Sequence, residues 1–172
     1  YETIMPINNQ LCIMQCTSGY PPSFEELNLN VIKTYMDEFN DIIIGFSAHD
    51  SGIAMGLVGY VLGARIIEKH FTLNRALKGT DHAFSLEPNG LKKLIRDLDR
   101  THIAFGDGNK YRFSSEEAPL YKMGKKIVAS RNLSSEHIIT FEDLNFKSPN
   151  DGLPPWKYTS VIGKKLKNKI NK

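Results

Sequence analysis

At 172 residues the chain has room for one ordinary domain, or for part of one and a small second one. With 41% hydrophobic and 24% charged residues its balance is that of a globular protein, which excludes disorder throughout. The net charge of +3 resides in the tail: the last ten residues hold five lysines and no acid, and without them 17 basic residues face 19 acidic ones.

That near-neutral body excludes a basic nucleic-acid-binding surface, and the tail reads as a solvated end because it lacks arginine and interleaved aromatics. No apolar run reaches the roughly 18 residues of a membrane helix. Tyr1 to Gln10 carries neither the basic nor the apolar segment of a secretory signal, so the expected address is cytoplasmic, with no membrane partner.

Leu11 to Cys16 reads as a short buried strand, stopped by the turn-rich "TSGYPP" that follows. Alternation puts Cys12 and Cys16 on one face but too far apart to bridge easily, so both are expected to be buried free thiols. Ser23, with Glu26 at capping-box spacing, opens a predicted helix whose apolar side is Leu27, Leu29, Val31, Ile32 and Tyr35, ending at Asn40 and Asp41. The β-branched run Ile42 to Ile44 suits a parallel strand buried on both faces. Ser51 to Ala64, apolar nearly all round and spaced with glycines, predicts a helix packed closely on a sheet. Arg65 to Glu68 form the third predicted strand. After a turn-rich loop, Pro88 starts a helix with a stripe of Leu91, Leu94, Ile95, Leu98 and Ile103, reaching about Phe105.

This alternation is the rhythm of βαβ units, hence an α/β fold with a parallel sheet or barrel. Three strands close neither, so the chain is expected to begin within a domain. Gly106 to Pro119 is polar and reads as a linker, and residues 120–172, with short strand-and-turn pieces, read as a second, small β-rich domain.

In parallel βα arrays the functional surface lies at the carboxyl ends of the strands. His49 and His70 each stand just beyond such an end, one βα unit apart, and neighbouring strands roughly 4.8 Å apart allow the two imidazoles to converge on one divalent ion. The alternative is that each histidine caps its strand through a backbone hydrogen bond. Glu68 and Lys69 precede His70; Lys69 either meets phosphate or pairs with Glu68. Ser47 and the Thr17–Ser18 pair offer hydroxyls to phosphate, Asp81 an acceptor for a sugar hydroxyl, and Tyr20 an aromatic face, although each is also a common turn or packing residue. His82, His102 and His137 read as surface or helix residues.

The strings "QCTSGYP", "NLNVI", "IGFSAHDSGIA", "LGARIIEKHFTLNRALKGTDHAFSLEP" and "KKIVASRNL…ITFEDLNFKSPNDGLPP" together resemble the sialic acid synthase family, which comprises N-acetylneuraminate, legionaminic and pseudaminic acid synthases. The resemblance implies a TIM (β/α)8 barrel followed by an antifreeze-like (SAF) domain. Residues 1–105 would be the last three βα units, 106–119 the linker, and 120–172 a truncated SAF domain. It implies condensation of phosphoenolpyruvate with N-acetylmannosamine or a related aminosugar to a nine-carbon 2-keto acid, with release of phosphate. A divalent ion, usually manganese (Mn2+) or else one such as Mg2+, would sit on His49 and His70. Ser47 and Ser18 would bind phosphoenolpyruvate, Tyr20 and Asp81 the sugar, and Glu68 and Lys69 would support catalysis.

The implied assembly is a domain-swapped homodimer whose second domain caps the partner's barrel. The chain departs from the family's pattern at Ser18, where some members have asparagine, at Ala48, where an aspartate is frequent, and at Ser148, where the family often has arginine and Lys147 stands adjacent. The chain by itself is expected to be inactive. Two alternatives are a carbohydrate-binding or dimerising module without catalysis, and a Schiff-base aldolase using Lys69.

Overall fold

The computed structural model describes residues 1–172, which form two compact units, Tyr1–Gly108 and Asn109–Lys172. Unit 1 is α/β. Its strands are β1 (Cys12–Cys16), β2 (Ile43–Ala48) and β3 (Ile66–Lys69), and its helices are α1 (Val31–Glu38), α2 (Ala54–Leu62) and α3 (Pro88–Ala104). The strands lie in the order β1-β2-β3, all parallel, with Cys16 level with Ser47 and Ser47 level with Glu68.

Period-two alternation divides the sheet's faces. Ile44, Phe46 and Ala48 of β2 join Ile13 and Ile67 on one face, where Leu27, Ile32, Ala64 and the helical residues Tyr35, Met55 and Leu62 close the core over them. The other face carries Cys12, Met14 and Cys16, then Ile43, Gly45 and Ser47, then Ile66 and Glu68. It is open: Ile43 is 51% exposed and Ile66 38%. For this reason the cysteines are free but not buried. Cys12 is half-buried and Cys16 exposed, because both lie away from the helices.

Two helices differ from expectation. Ser23 and Glu26 do form half of a capping box, Glu26 accepting the Ser23 N–H at 2.9 Å, but they cap only a 3-10 turn, Glu25–Leu27. Asn28, with φ of 40°, turns the chain left-handed and the α-helix starts afresh at Val31. α2 is shorter than expected but packs as its glycines suggest: a Cβ on Gly59 would come within 2.8 Å of Phe46. No helix is long and apolar enough to cross a membrane.

Unit 2 holds α4 (Glu117–Met123) and an antiparallel pair, β4 (Lys126–Ala129) with β5 (Leu144–Lys147). The stretch read as linker thus leads into a helix: a 3-10 turn at Ser114–Glu116, its Phe113 N–H accepted by Glu116, runs into α4. Pro119 falls in the first turn of α4, where a missing N–H costs no hydrogen bond. The lysine tail is solvated in its side chains but paired in its backbone, through bridges Leu133 with Ile170 and Ile138 with Lys165.

Asp143, wholly buried, organises this unit. Arg131 donates to it at 2.7 Å, His137 Nε2 lies 2.6 Å away, and the Thr140 N–H donates at 3.0 Å. His137 is therefore a half-buried network member and not a surface residue. The His137 hydrogen bond, foremost, and the Thr140 N–H hold the Asp143 carboxyl far below the usual carboxylate range.

Gly59→Ala is expected to cost about 1–3 kcal/mol through overpacking against Phe46, measured by urea denaturation. Because the Asp143 pKa is depressed on folding, its stabilisation is complete above the unfolded carboxylate pKa and is lost as pH falls through the folded one. Asp143→Asn is expected to lower the thermal midpoint at neutral pH by about 5 °C or more, and the difference from the parent should narrow in strong acid.

Candidate active site at the strand ends

The β2–β3 ladder ends with Ala48 level with Lys69, and the two histidines stand one residue beyond it. Alternation sends His49 and His70 to the open face, with Cys16, Ser47 and Glu68 below them. The imidazole centroids are 4.9 Å apart and the rings meet at 75°. Tyr20 packs on both, at 4.7 Å from His49 and 5.9 Å from His70, and Phe84 lies 4.9 Å from His70.

The loop after β3 reaches this place because it pairs back on the strand end. The Leu86 N–H donates to the His70 carbonyl at 2.8 Å and the Thr72 N–H to the Leu86 carbonyl at 2.9 Å. Asp81, carried by that loop, sets Oδ2 3.7 Å from His70 Nδ1. His82 is half-buried, its Nδ1 2.7 Å from the Thr72 hydroxyl, so it braces the loop and is not a free surface group.

Hydrogen bonding fixes the tautomer of His49. Ser47 has one hydroxyl hydrogen, and it goes to Glu68 Oε1 at 2.5 Å, since a carboxylate only accepts. Ser47 Oγ therefore accepts from His49 Nε2, 3.1 Å away. In the neutral ring Nδ1 then carries an unshared pair, and this atom is buried without a hydrogen-bond partner. Burial above all, then the neighbouring His70, holds the His49 pKa below the ordinary imidazole value, so the ring is neutral at neutral pH.

Cys16 Sγ lies 3.8 Å from His49 Nε2 and 3.9 Å from Ser18 Oγ. The structure thus gathers His49, His70, Ser47, Glu68, Tyr20, Asp81 and, beside Cys16, Ser18. Cys16 and Phe84 were not foreseen as site residues. The place of Cys16 at the carboxyl end of the first predicted strand was the available signal for the first, and nothing local in the sequence signals the second.

Lys69 is elsewhere. On the opposite face, its Nζ lies 2.7 Å from Asp50 Oδ1, with the two side chains 5% and 2% exposed. The pairing with Glu68, one of the two readings of Lys69, does not occur, because adjacent residues of a strand point to opposite faces. The same burial leaves no free amine at the site for Schiff-base chemistry.

A divalent ion fits the donor set to this extent: two imidazoles converge, one is held neutral, and that one has an unshared pair with no donor upon it. No third His, Cys, Asp or Glu joins them in a ready-made cluster, so other positions would fall to water or substrate oxygen.

The NeuB family model matches residues 2–110. Over 167 residues the chain is 38% identical to the N-acetylneuraminate-9-phosphate synthase of Homo sapiens, covering 96% of this chain and 46% of that protein. It is 35% identical over 154 residues to the N,N'-diacetyllegionaminic acid synthase of Campylobacter jejuni, covering 90% and 46% respectively. Among solved structures, the N-acetylneuraminic acid synthetase of Leptospira borgpetersenii superposes with a TM-score of 0.54 at 35% identity, over 63% of this chain and 38% of that one. The chain spans about half the length of these curated relatives.

The tautomer is open to direct measurement. Ring 15N shifts should show His49 as the neutral Nε2–H form, and more than half neutral at pH about 6.5, where an unperturbed imidazole is half protonated.

Proposed function

The chain belongs to the NeuB family of sialic acid synthases, and from that membership we propose that it forms part of an enzyme condensing phosphoenolpyruvate with N-acetylmannosamine or a related aminosugar, releasing phosphate and yielding a nine-carbon 2-keto acid. The observation that carries the proposal is the approach of His49 and His70 to 4.9 Å on the face shared with Ser47 and Glu68. In this reading unit 1 is three βα units of a (β/α)8 barrel and unit 2 a SAF domain. The parallel sheet with helices on one face, and the exposure of Ile43 and Ile66 on the other, support the barrel. The enzyme would be cytoplasmic and a domain-swapped homodimer.

His49 and His70 would hold a divalent ion, Mn2+ or Mg2+. When bound, that ion supplies Lewis-acid polarisation of the sugar aldehyde toward the enol carbon. His49 presents its unshared pair because burial keeps it neutral and Ser47 takes its Nε2–H. Ser18 would offer its hydroxyl to phosphoenolpyruvate, and Ser47 would do so by turning its one hydroxyl hydrogen from Glu68 to the incoming anion. Until then Glu68 accepts the Ser47 hydroxyl hydrogen and holds that side chain in one orientation. Tyr20 walls the site against the two imidazoles, and Asp81, beside His70, accepts from a sugar hydroxyl. Enclosure by Tyr20 and Phe84 keeps water from one side of the rings.

The test is phosphate release from phosphoenolpyruvate and aminosugar by the whole protein. Combining His49→Ala with His70→Ala, or adding a chelator, should lower the rate by at least about 100-fold, the scale of several kcal/mol of charge stabilisation. An unaltered rate under both treatments would end the proposal.

A further inference from the structure

The ladder that holds β2 to β3 stops short of the histidines, its last level pair being Ala48 with Lys69. Past that point a side-chain link takes over. Lys69 Nζ reaches Asp50 Oδ1 at 2.7 Å and donates as well to the Asp50 main-chain carbonyl. Asp50 follows His49 and Lys69 precedes His70, so each end of the link is a single peptide, about 3.8 Å between Cα atoms, from an imidazole-bearing residue. Both side chains are almost wholly buried, on the face away from the site.

A buried ion pair is a poor device for stability alone. Desolvation of both charges offsets their attraction, and an apolar pair of like volume often serves the fold equally well. What this pair adds is direction. An ammonium bound at once to a carboxylate and to the carbonyl of the same residue fixes the Asp50 backbone, as packing between methyl groups cannot.

We propose that the Lys69–Asp50 pair is a positioning clamp that sets the separation of the His49 and His70 rings beyond the end of the ladder, so that their nitrogens stand ready for a divalent cation. Lys69 and Asp50 are thus positioning residues, touching neither cation nor substrate. The cation part rests on the function proposed above, whereas the spacing of the rings does not.

The experiment uses the whole protein and manganese alone, without substrates. Manganese affinity is measured by calorimetry, and ring-to-ring nuclear Overhauser contacts between His49 and His70 are recorded in the metal-free protein. The double variant Lys69→Met with Asp50→Leu should keep the thermal midpoint, lose the contacts, and bind manganese about 10–100-fold more weakly, as outer-shell changes do. Lys69→Arg should stay near the parent in both measurements. A folded double variant with contacts and affinity unchanged would overturn the clamp. If the double variant does not fold, Asp50→Asn is put through the same two measurements, and parental values for it overturn the clamp equally. Should the parent take up no manganese, the cation reading falls, and the ring contacts alone decide whether the clamp exists.

Discussion

The in-register parallel pairing of β1, β2 and β3 is the constraint on which unit 1 depends. With Cys16, Ser47 and Glu68 level across the three strands, every second residue of each strand is committed to the same side. Phe46, Ala48 and Ile67 go under the helices, and the polar set goes to the open face. A slip of one residue in β3 would turn Ile67 away from α2 and carry Glu68 to the helix side, so packing specifies the register and the register in turn delivers the imidazoles. Gly59 belongs to this constraint, because the closeness of α2 to Phe46 leaves no space for a larger side chain.

Much of this was legible in the sequence. The order of strands and helices in unit 1, the start of α3 at Pro88 and the placing of two histidines past two strand ends all follow from hydrophobic periodicity and punctuation. Boundaries were less legible. β2 runs on to Ala48 through Gly45 and Ser47, which are weak strand formers held by neighbours on both sides. The capping signal at Ser23 is real but local, and it cannot reveal that Asn28 reverses the chain five residues later.

Partners across the fold were not legible at all. That Lys69 meets Asp50 and Glu68 meets Ser47, rather than the two adjacent charges meeting each other, is decided by which face each occupies. Asp143 is the same case in unit 2. Thr140 stands at capping-box spacing before it, but Arg131 and His137 lie further back in the sequence, and only folding brings their donors to the same carboxylate. Alternation was known beforehand; what it meant for side-chain pairing needed the register.

The charges so sorted bear on what the strand ends can bind. Lys69 is neutralised by Asp50 behind the sheet, so its charge does not serve the open face. There Glu68 and Asp81 contribute carboxylates beside His49, whose ring burial keeps neutral. An anion such as phosphoenolpyruvate would meet repulsion from this group of residues taken alone, whereas a cation would be drawn to it. The two substrates of the proposed reaction therefore make unequal demands on these three strands. The serines and Tyr20 can orient an anion once it is there, but the compensating positive charge must come from an ion on the histidine pair or from groups outside this set. A donor arrangement that favours a cation first, and an anion only after it, accords with the metal-assisted condensation proposed above.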